Sequence, residues 1–305
     1  MTVPGFWRTQ SQDTRKVTLT GFGELSRIFY LFPQGGGPRG SFTTFADLAP
    51  NLRSRDTIIL GGVLREQAVA PLDVYDVTLM GAANRPRQAT SGGVPTGGGA
   101  TWMLPLVPVA ATPLLELRAA GWAIENIEFT PANASAALRL TRSAVTDTID
   151  ASHLTVTGCL FGGNGGTTQN GIEDNGGCSR VLINECRFEG LGNTALLSLT
   201  TAAAVPYGWH IRNCRFQGNL NDIKMSLNFS NIEYNRFYTA GAGATNKVIS
   251  DTFIAAQGGG NLITLNQFNN TEAQIAPGSG YTGAASDVWM NYVNDQAALA
   301  FGLPA

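Results

Sequence analysis

Between residues 122 and 268 the hydrophobic positions recur in one short form. IENIEF (124–129), VTGCLF (156–161), INECRF (183–188), IRNCRF (211–216) and IEYNRF (232–237) superimpose without a gap, and VISDTF (248–253) and ITLNQF (263–268) read as weaker copies. Each copy closes on Phe. Ile211, Cys214 and Phe216 are the inward candidates of the fourth copy, yet the step from 211 to 214 is one residue too long for a strand, whose side chains change face at every residue. A bend between them restores the alternation. Asn126, Gly158 and Asn213 stand where it falls, and these residue types tolerate the left-handed backbone such a bend often needs. Trp122, Leu154, Val181 and Trp209 each lie seven residues before a closing Phe, which extends the first strand inward by parity.

A third segment precedes each copy: PLLEL (113–117), AALRL (136–140), NGIED (170–174), TALLSL (194–199) and DIKMSL (222–227). Each unit therefore reads as strand, variable loop, strand, tight bend, strand. The closing residues Phe129, Phe161, Phe188, Phe216 and Phe237 are 32, 27, 28 and 21 residues apart. Short strands repeated with loops of changing length are the sequence form of a β-solenoid, whose coils complete their core by stacking on one another. After Phe237 the Phe residues fall only 16 and 15 residues apart, which predicts smaller coils or strands on other faces.

Composition fits many turns and few solvated helices, with 37 Gly and 14% charged residues among 305. A formal charge of -2 and the lack of a Lys/Arg patch give no argument for nucleic acid. Three of the four cysteines, Cys159, Cys186 and Cys214, share the position two before Phe, with Ile127 there one coil earlier and Asn235 one coil later. Adjacent parallel strands lie about 4.8 Å apart, so these residues are expected to stack inside. That spacing does not itself exclude a disulfide, but Ile127 at the same position favours free buried thiols. Cys178 falls in a Gly-rich loop and is expected to be open to exposure. No cofactor or metal site is expected: no CxxC pair, His cluster or calcium loop is present.

In chain order, residues 1–40 read as an attachment arm or end cap with strands at 17–20 and 28–32; the start lacks a signal peptide, and no later run suits a membrane span. Residues 41–277 are assigned to the solenoid. It opens with a short helix over 41–52, SFTTFADLAPNL, which presents Phe42, Phe45, Leu48 and Leu52 as a cap, with Pro50 weakening its last turn. Strands follow at 57–60, 63–64, 74–80 and 102–104, with a lateral loop at 82–99. Residues 278–305 are a C-terminal cap or partner contact using Val288, Trp289, Tyr292 and Leu299. The loops 141–152, 162–170 and 200–208 emerge from successive coils and can line a longitudinal recognition surface.

The catalytic candidates are few. Glu173 and Asp174 form a local acidic pair, but neighbouring strand residues face opposite sides; Glu173 with Glu189 would need a proximity the sequence does not establish. Two carboxylates can supply acid and base to glycoside hydrolysis. Asp222, Glu233 and Asp251 are a second acidic set, with Asn235 and Asn266 favouring a buried polar ladder instead. His153 and His210 occupy related positions without a shared face. GFG (21–23) and GGG (97–99) lack the strand and helix of a nucleotide site.

The cap segment SFTTFADL, RDTIILGGVLRE (55–66), VYDVTLMGA (74–82) and the strand-Asn-strand units together resemble the pectate-lyase-like superfamily over roughly 42–268. That resemblance implies an all-β, right-handed single-stranded parallel β-helix with an N-terminal capping helix and a C-terminal cap. The cap followed by an early strand also resembles viral tailspikes. The arginine-centred signature of pectate lyases and the paired acids of the polygalacturonase-like branch are missing, so no catalytic triad carries over. The resemblance therefore implies a non-enzymatic bacteriophage virion surface protein, a head decoration protein or short tailspike. Its expected form is a homotrimer assembled in the host cytoplasm, docked on capsid or tail proteins and able to meet cell-surface glycan. The alternative is a polysaccharide lyase or glycoside hydrolase gripping an extended glycan along the helix.

Overall fold

The computed structural model describes residues 26–83, 99–131, 136–143, 145–146, 148–163, 169–199, 205–238, 249–250 and 260–268, with strand backbones at 287–289, 292–293 and 296–297. The strands of these residues form three long sheets that the chain visits in turn. The first has ten strands, from Ile28–Leu31 to Asp287–Trp289; the second has ten, from Gly62–Arg65 to Gln296–Ala297; the third has seven, from Ala68–Val69 to Ile249–Ser250. One coil runs through Ala136–Thr141 in the third sheet, Thr155–Thr157 in the first and Leu160–Gly162 in the second. Pairing between coils is parallel, except where Gln296–Ala297 turns back on Tyr292–Val293. The fold is a parallel β-helix, each coil burying its inner side chains against the coils on either side.

The bend between the first and second sheets is a column of left-handed residues. Asn126, Gly158, Glu185, Asn213, Tyr234 and Leu265 have φ between 54° and 63°. Their amides reach along the axis: Asn126 N donates to Thr157 O at 3.1 Å, Gly158 N to Asn184 O at 3.1 Å, and Glu185 N to Arg212 O at 3.2 Å. A second such column turns the corner from the third sheet into the first, through Asp76, Gly121, His153, Arg180, Gly208 and Phe229. The amides of Gly121, His153 and Arg180 donate to Ser152, Ser179 and Tyr207 one coil on. The hydrogen bond to the next coil holds Glu185 in a conformation that costs ordinary L-residues about 1–2 kcal/mol, and Tyr234, Leu265 and Phe229 adopt the same conformation at their own corners.

Inside the second sheet the closing Phe residues form one stack. Phe129, Phe161, Phe188, Phe216, Phe237 and Phe268 lie 4.7–5.3 Å apart between ring centroids, within 10° of parallel. Trp102 precedes Phe129 at 6.2 Å, and Phe45 ends the stack against Trp102 at 5.5 Å. Phe237 pairs directly with Phe268. The segment 248–253 is therefore not a copy of the bend unit, because Ile249–Ser250 lies in the third sheet beside Ile223 and Lys224. The contracted spacing after Phe237 reflects one full coil whose third-sheet strand imitates the Phe-closed pattern.

Two positions before each closing Phe runs the column Ile127, Cys159, Cys186, Cys214, Asn235 and Asn266, all buried. Cys159, Cys186 and Cys214 direct Sγ at the carbonyls of Ile124, Val156 and Ile183, at 3.5–3.7 Å. Asn235 and Asn266 donate Nδ2 to the equivalent carbonyls of Ile211 and Ile232, at 2.9 and 2.8 Å. Their Oδ1 atoms also accept the amides of Cys214 and Asn235 one coil back. Cys and Asn thus serve the same acceptor, the thiol as the weaker donor. Cys214→Asn should reproduce both bonds and raise stability by about 1 kcal/mol, read as a higher denaturant midpoint with an unchanged slope; a lower midpoint would contradict the equivalence.

The N-terminal helix is shorter than expected. Only Phe45–Leu48 is α-helical, followed by a 3-10 turn at Ala49–Asn51 that accommodates Pro50. Thr44 caps it, its Oγ1 accepting from Asp47 N at 3.1 Å, and Glu66 takes up the amides of Phe45 and Ala46 at 2.7 and 2.9 Å. Those contacts satisfy amides that a helix start leaves open. Phe42 bridges to Leu31 on the edge of the first sheet instead of entering the helix. The strand expected over 74–80 is Thr78–Gly81. Cys178, expected in an exposed loop, is fully buried, its amide held by Asp174 Oδ1 at 2.8 Å. All four cysteines are free thiols, and burial pushes those of Cys159, Cys178 and Cys186 upward.

Sheet pairing extends into both flanking segments. Ile28–Leu31 pairs with Thr57–Leu60, and Asp287–Trp289 with Leu262–Thr264. The strand expected at 17–20, most of the 82–99 loop, Asp251, Phe253 and Leu299 lie outside the described residues.

Candidate functional site

The chain's connections are distributed unevenly around the axis. First- and second-sheet strands are joined by one or two residues between 123–125 and 127–130, 155–157 and 160–162, and 182–184 and 187–189. Most long connections, such as 104–114 and 163–169 on one side and 142–154 and 199–209 on the other, leave from the edges of the third sheet; 82–99, which joins Thr78–Gly81 of the first sheet to Ala100–Met103 of the second, is an exception. The outer face of that sheet is therefore the floor between the two loop-bearing edges.

Pairing register places one side-chain column along this floor: Val69, Glu116, Arg139, Glu173, Leu197 and Lys224. Glu173 is 4% exposed. Its Oε2 accepts from Arg139 Nε at 2.8 Å, and its Oε1 from Asn170 Nδ2 at 2.8 Å. Arg139 also donates to Ala111 O at 3.1 Å, tying the connection 104–114 to the floor. Glu116 accepts from Arg118 Nε at 2.8 Å and Thr141 Oγ1 at 3.0 Å. Across the opposite edge, Arg142 donates to Gly177 O at 3.2 Å and stands 3.9 Å from Asp150. The result is an alternation of fixed donors and acceptors at strand spacing, with Leu197 as an apolar step.

Asp174 follows Glu173 in the strand but turns into the coil, where it is fully buried. It accepts from the amides of Gly177 and Cys178 at 3.1 and 2.8 Å, fastening the turn after the strand. Burial raises its carboxyl to about 7 despite those two donors. Glu189 lies on the outer face of the second sheet, bonded to Arg187 Nε at 3.0 Å. Glu173, Asp174 and Glu189 therefore point to three separate surroundings. Asp222 is buried in the third sheet while Glu233 is on the first, 2.7 Å from His210 Nε2. His153 occupies the left-handed column at the corner, its amide bonded to Ser179 O at 2.8 Å. Among the described residues no group of three or more His, Cys, Asp or Glu is placed to hold a metal ion.

The floor column carries no sequence motif. Each of its residues comes from a different strand, the strands differ in length and composition, and only the pairing register reveals the residues as neighbours. The alternation within AALRL and NGIED was the available signal, since Arg139 and Glu173 interrupt otherwise inward-facing runs.

No family model and no curated protein matches the sequence. Among solved structures the chain is similar to a pectin methylesterase from Aspergillus niger, at 13% identity and a TM-score of 0.53, over 94% of this chain and 93% of that one. A pectate lyase shares 11% identity at a TM-score of 0.46, over 87% of this chain and 74% of that one. The likeness to the methylesterase spans both chains almost end to end, and the fold of this protein is a right-handed parallel β-helix.

Proposed function

We propose that the protein recognises an extended polysaccharide, laid along the outer face of the third sheet between its two loop-bearing edges. The observation that carries this reading is the Glu116, Arg139, Glu173, Leu197 and Lys224 column at the centre of that floor. Ordered donors and acceptors around an apolar step suit sugar hydroxyls and the less polar faces of sugar rings, as small-molecule sites generally combine apolar lining with a few fixed polar groups. The solved structure of like fold named above is a pectin methylesterase, a protein named for action on a polysaccharide. Glu116 and Glu173 are each held by an arginine, which favours holding a glycan over transferring protons to it.

The expected bacteriophage role drew on likeness to tailspikes, and the pectin methylesterase of like fold lends it no support; the expected homotrimer and capsid or tail partners are not carried into this reading. Glycan recognition is the part of that expectation carried forward.

The test is a polysaccharide array followed by calorimetry on the full chain. Leu197→Arg, in the middle of the floor, should weaken binding at least about tenfold, or 1.4 kcal/mol. Leu182→Arg, on the outer face of the first sheet, should leave binding within about twofold. Equal effects of the two substitutions, or no glycan bound, would remove the third-sheet assignment. Release of product from the bound glycan would replace recognition by catalysis.

A further inference from the structure

The outer face of the second sheet carries a different pattern. Arg187, Arg215 and Arg236 are direct register partners on three successive coils. Strand spacing of about 4.8 Å sets three guanidinium groups in a row about 10 Å long. Like charges directly opposite on paired strands repel, and the neighbouring column supplies one carboxylate for the three: Glu189, then Gln217 and Tyr238. Arg187 bonds Glu189 at 3.0 Å. Arg215 bonds the neutral Gln217 and lies 5.0 Å above the Tyr238 ring, which orients its charge without cancelling it. Arg236 is exposed, and its side chain has no hydrogen-bond or ion-pair partner among the described residues. The connections beside Arg187 and Arg215 are short, one or two residues at the bend and 190–193 and 218–220 on the other side, so this stretch of the face is open.

We infer that this arginine column is a second binding surface, one that takes a linear polysaccharide bearing carboxylate or sulfate groups along the axis of the coils. Successive anions on one chain would bridge successive arginines through charge-assisted hydrogen bonds and relieve their mutual repulsion. A single-stranded nucleic acid fits less well. Stacked bases need a row of free aromatic faces; Tyr238 already carries Arg215, and the exposed Tyr234 at the bend before Arg236 is a single ring, not a row. The surface shares no residue with the floor of the third sheet.

The experiment measures binding of the full chain at low salt to dextran sulfate, polygalacturonate, unmodified dextran and a single-stranded oligonucleotide. One or both acidic polysaccharides should bind, weakening steeply with salt, while dextran should not. Arg215→Glu with Arg236→Glu should weaken that binding at least about tenfold. Arg55→Glu with Arg180→Glu makes the same change in net charge at another corner and should act within about twofold. If the first pair melts early, Arg215→Gln with Arg236→Gln provides the same comparison without charge reversal. Equal losses from the two pairs, tighter binding of the oligonucleotide, or no binding of either acidic polymer would overturn the inference. The Arg215/Arg236 variant should retain any neutral-glycan binding sensitive to Leu197, so the two surfaces are judged separately.

Discussion

Phe188→Ala is expected to lower the unfolding free energy by about 3–5 kcal/mol, the range for a large aromatic deleted from a packed core. Phe188 is fully buried at the centre of the ring stack, 4.7 Å from Phe161 and 5.0 Å from Phe216, with interplanar angles of 5° and 6°. Its ring also lies against Gly171, where a Cβ would approach Phe188 Cδ1 to 3.0 Å. Two flat rings cannot close over the gap without moving two strands that are hydrogen-bonded in register. The void would therefore persist, and with it the cavity term. Phe188→Leu keeps part of the volume and should cost less. Denaturant unfolding followed by far-ultraviolet circular dichroism and by tryptophan fluorescence would measure the loss and show whether the coils still unfold together. A loss below about 1 kcal/mol would mean that the stack contributes alignment but little stability.

The second large effect is a gain. Asp222 occupies the third-sheet column in which preceding coils place Ala137, Gly171 and Ala195. It is fully buried; Oδ1 accepts from Asn219 Nδ2 at 2.9 Å, and Oδ2 has no hydrogen-bond partner among the described residues. Burial raises its carboxyl from 3.8 to about 8, with the Asn219 bond opposing. Between those values the folded chain retains a proton that the unfolded chain releases, so stability falls as pH rises from about 4 to about 8. The shift corresponds to a ceiling of about 6 kcal/mol. Asp174, raised to about 7, contributes a smaller loss of the same sign. Asp222→Ala should therefore melt several degrees above the parent at pH 8, converging with it near pH 4. Asn219 keeps its bond to Phe188 O at 3.0 Å in that variant. Parallel pH profiles for variant and parent would sink this account.

The parts of the fold legible in the sequence were those marked by a residue type. The closing Phe announced itself because six coils from Phe129 to Phe268 repeat it, and the position two before it because three of them in succession place Cys there; Asn126, Gly158 and Asn213 marked the bend because they tolerate its backbone. The same bend at Glu185, Tyr234 and Leu265 was visible only by alignment with those copies, since these residue types have no preference for it; Glu185 is held there by its amide's bond to Arg212 O on the next coil. The segment 248–253 misled because a third-sheet strand and the bend unit can share an apolar start and a terminal Phe. Asp222 read as part of an acidic groove because parity along a single strand does not reveal that its corner turns residue 222 toward the core. The floor of the third sheet and the arginine column share one difficulty. Their members are about a coil apart in sequence, and loops of changing length hide the common register.

The ring stack has a beginning and a direction. Phe45, tilted 49° across Trp102, closes it at the helix end, and beyond Trp102 every ring repeats the geometry of the one before. A coil in the middle is thus an interchangeable module with matching upper and lower surfaces, whereas the first is unique. The number of coils, and with it the length of ligand the molecule can span, is adjustable by duplication between Phe129 and Phe237 without redesigning either end.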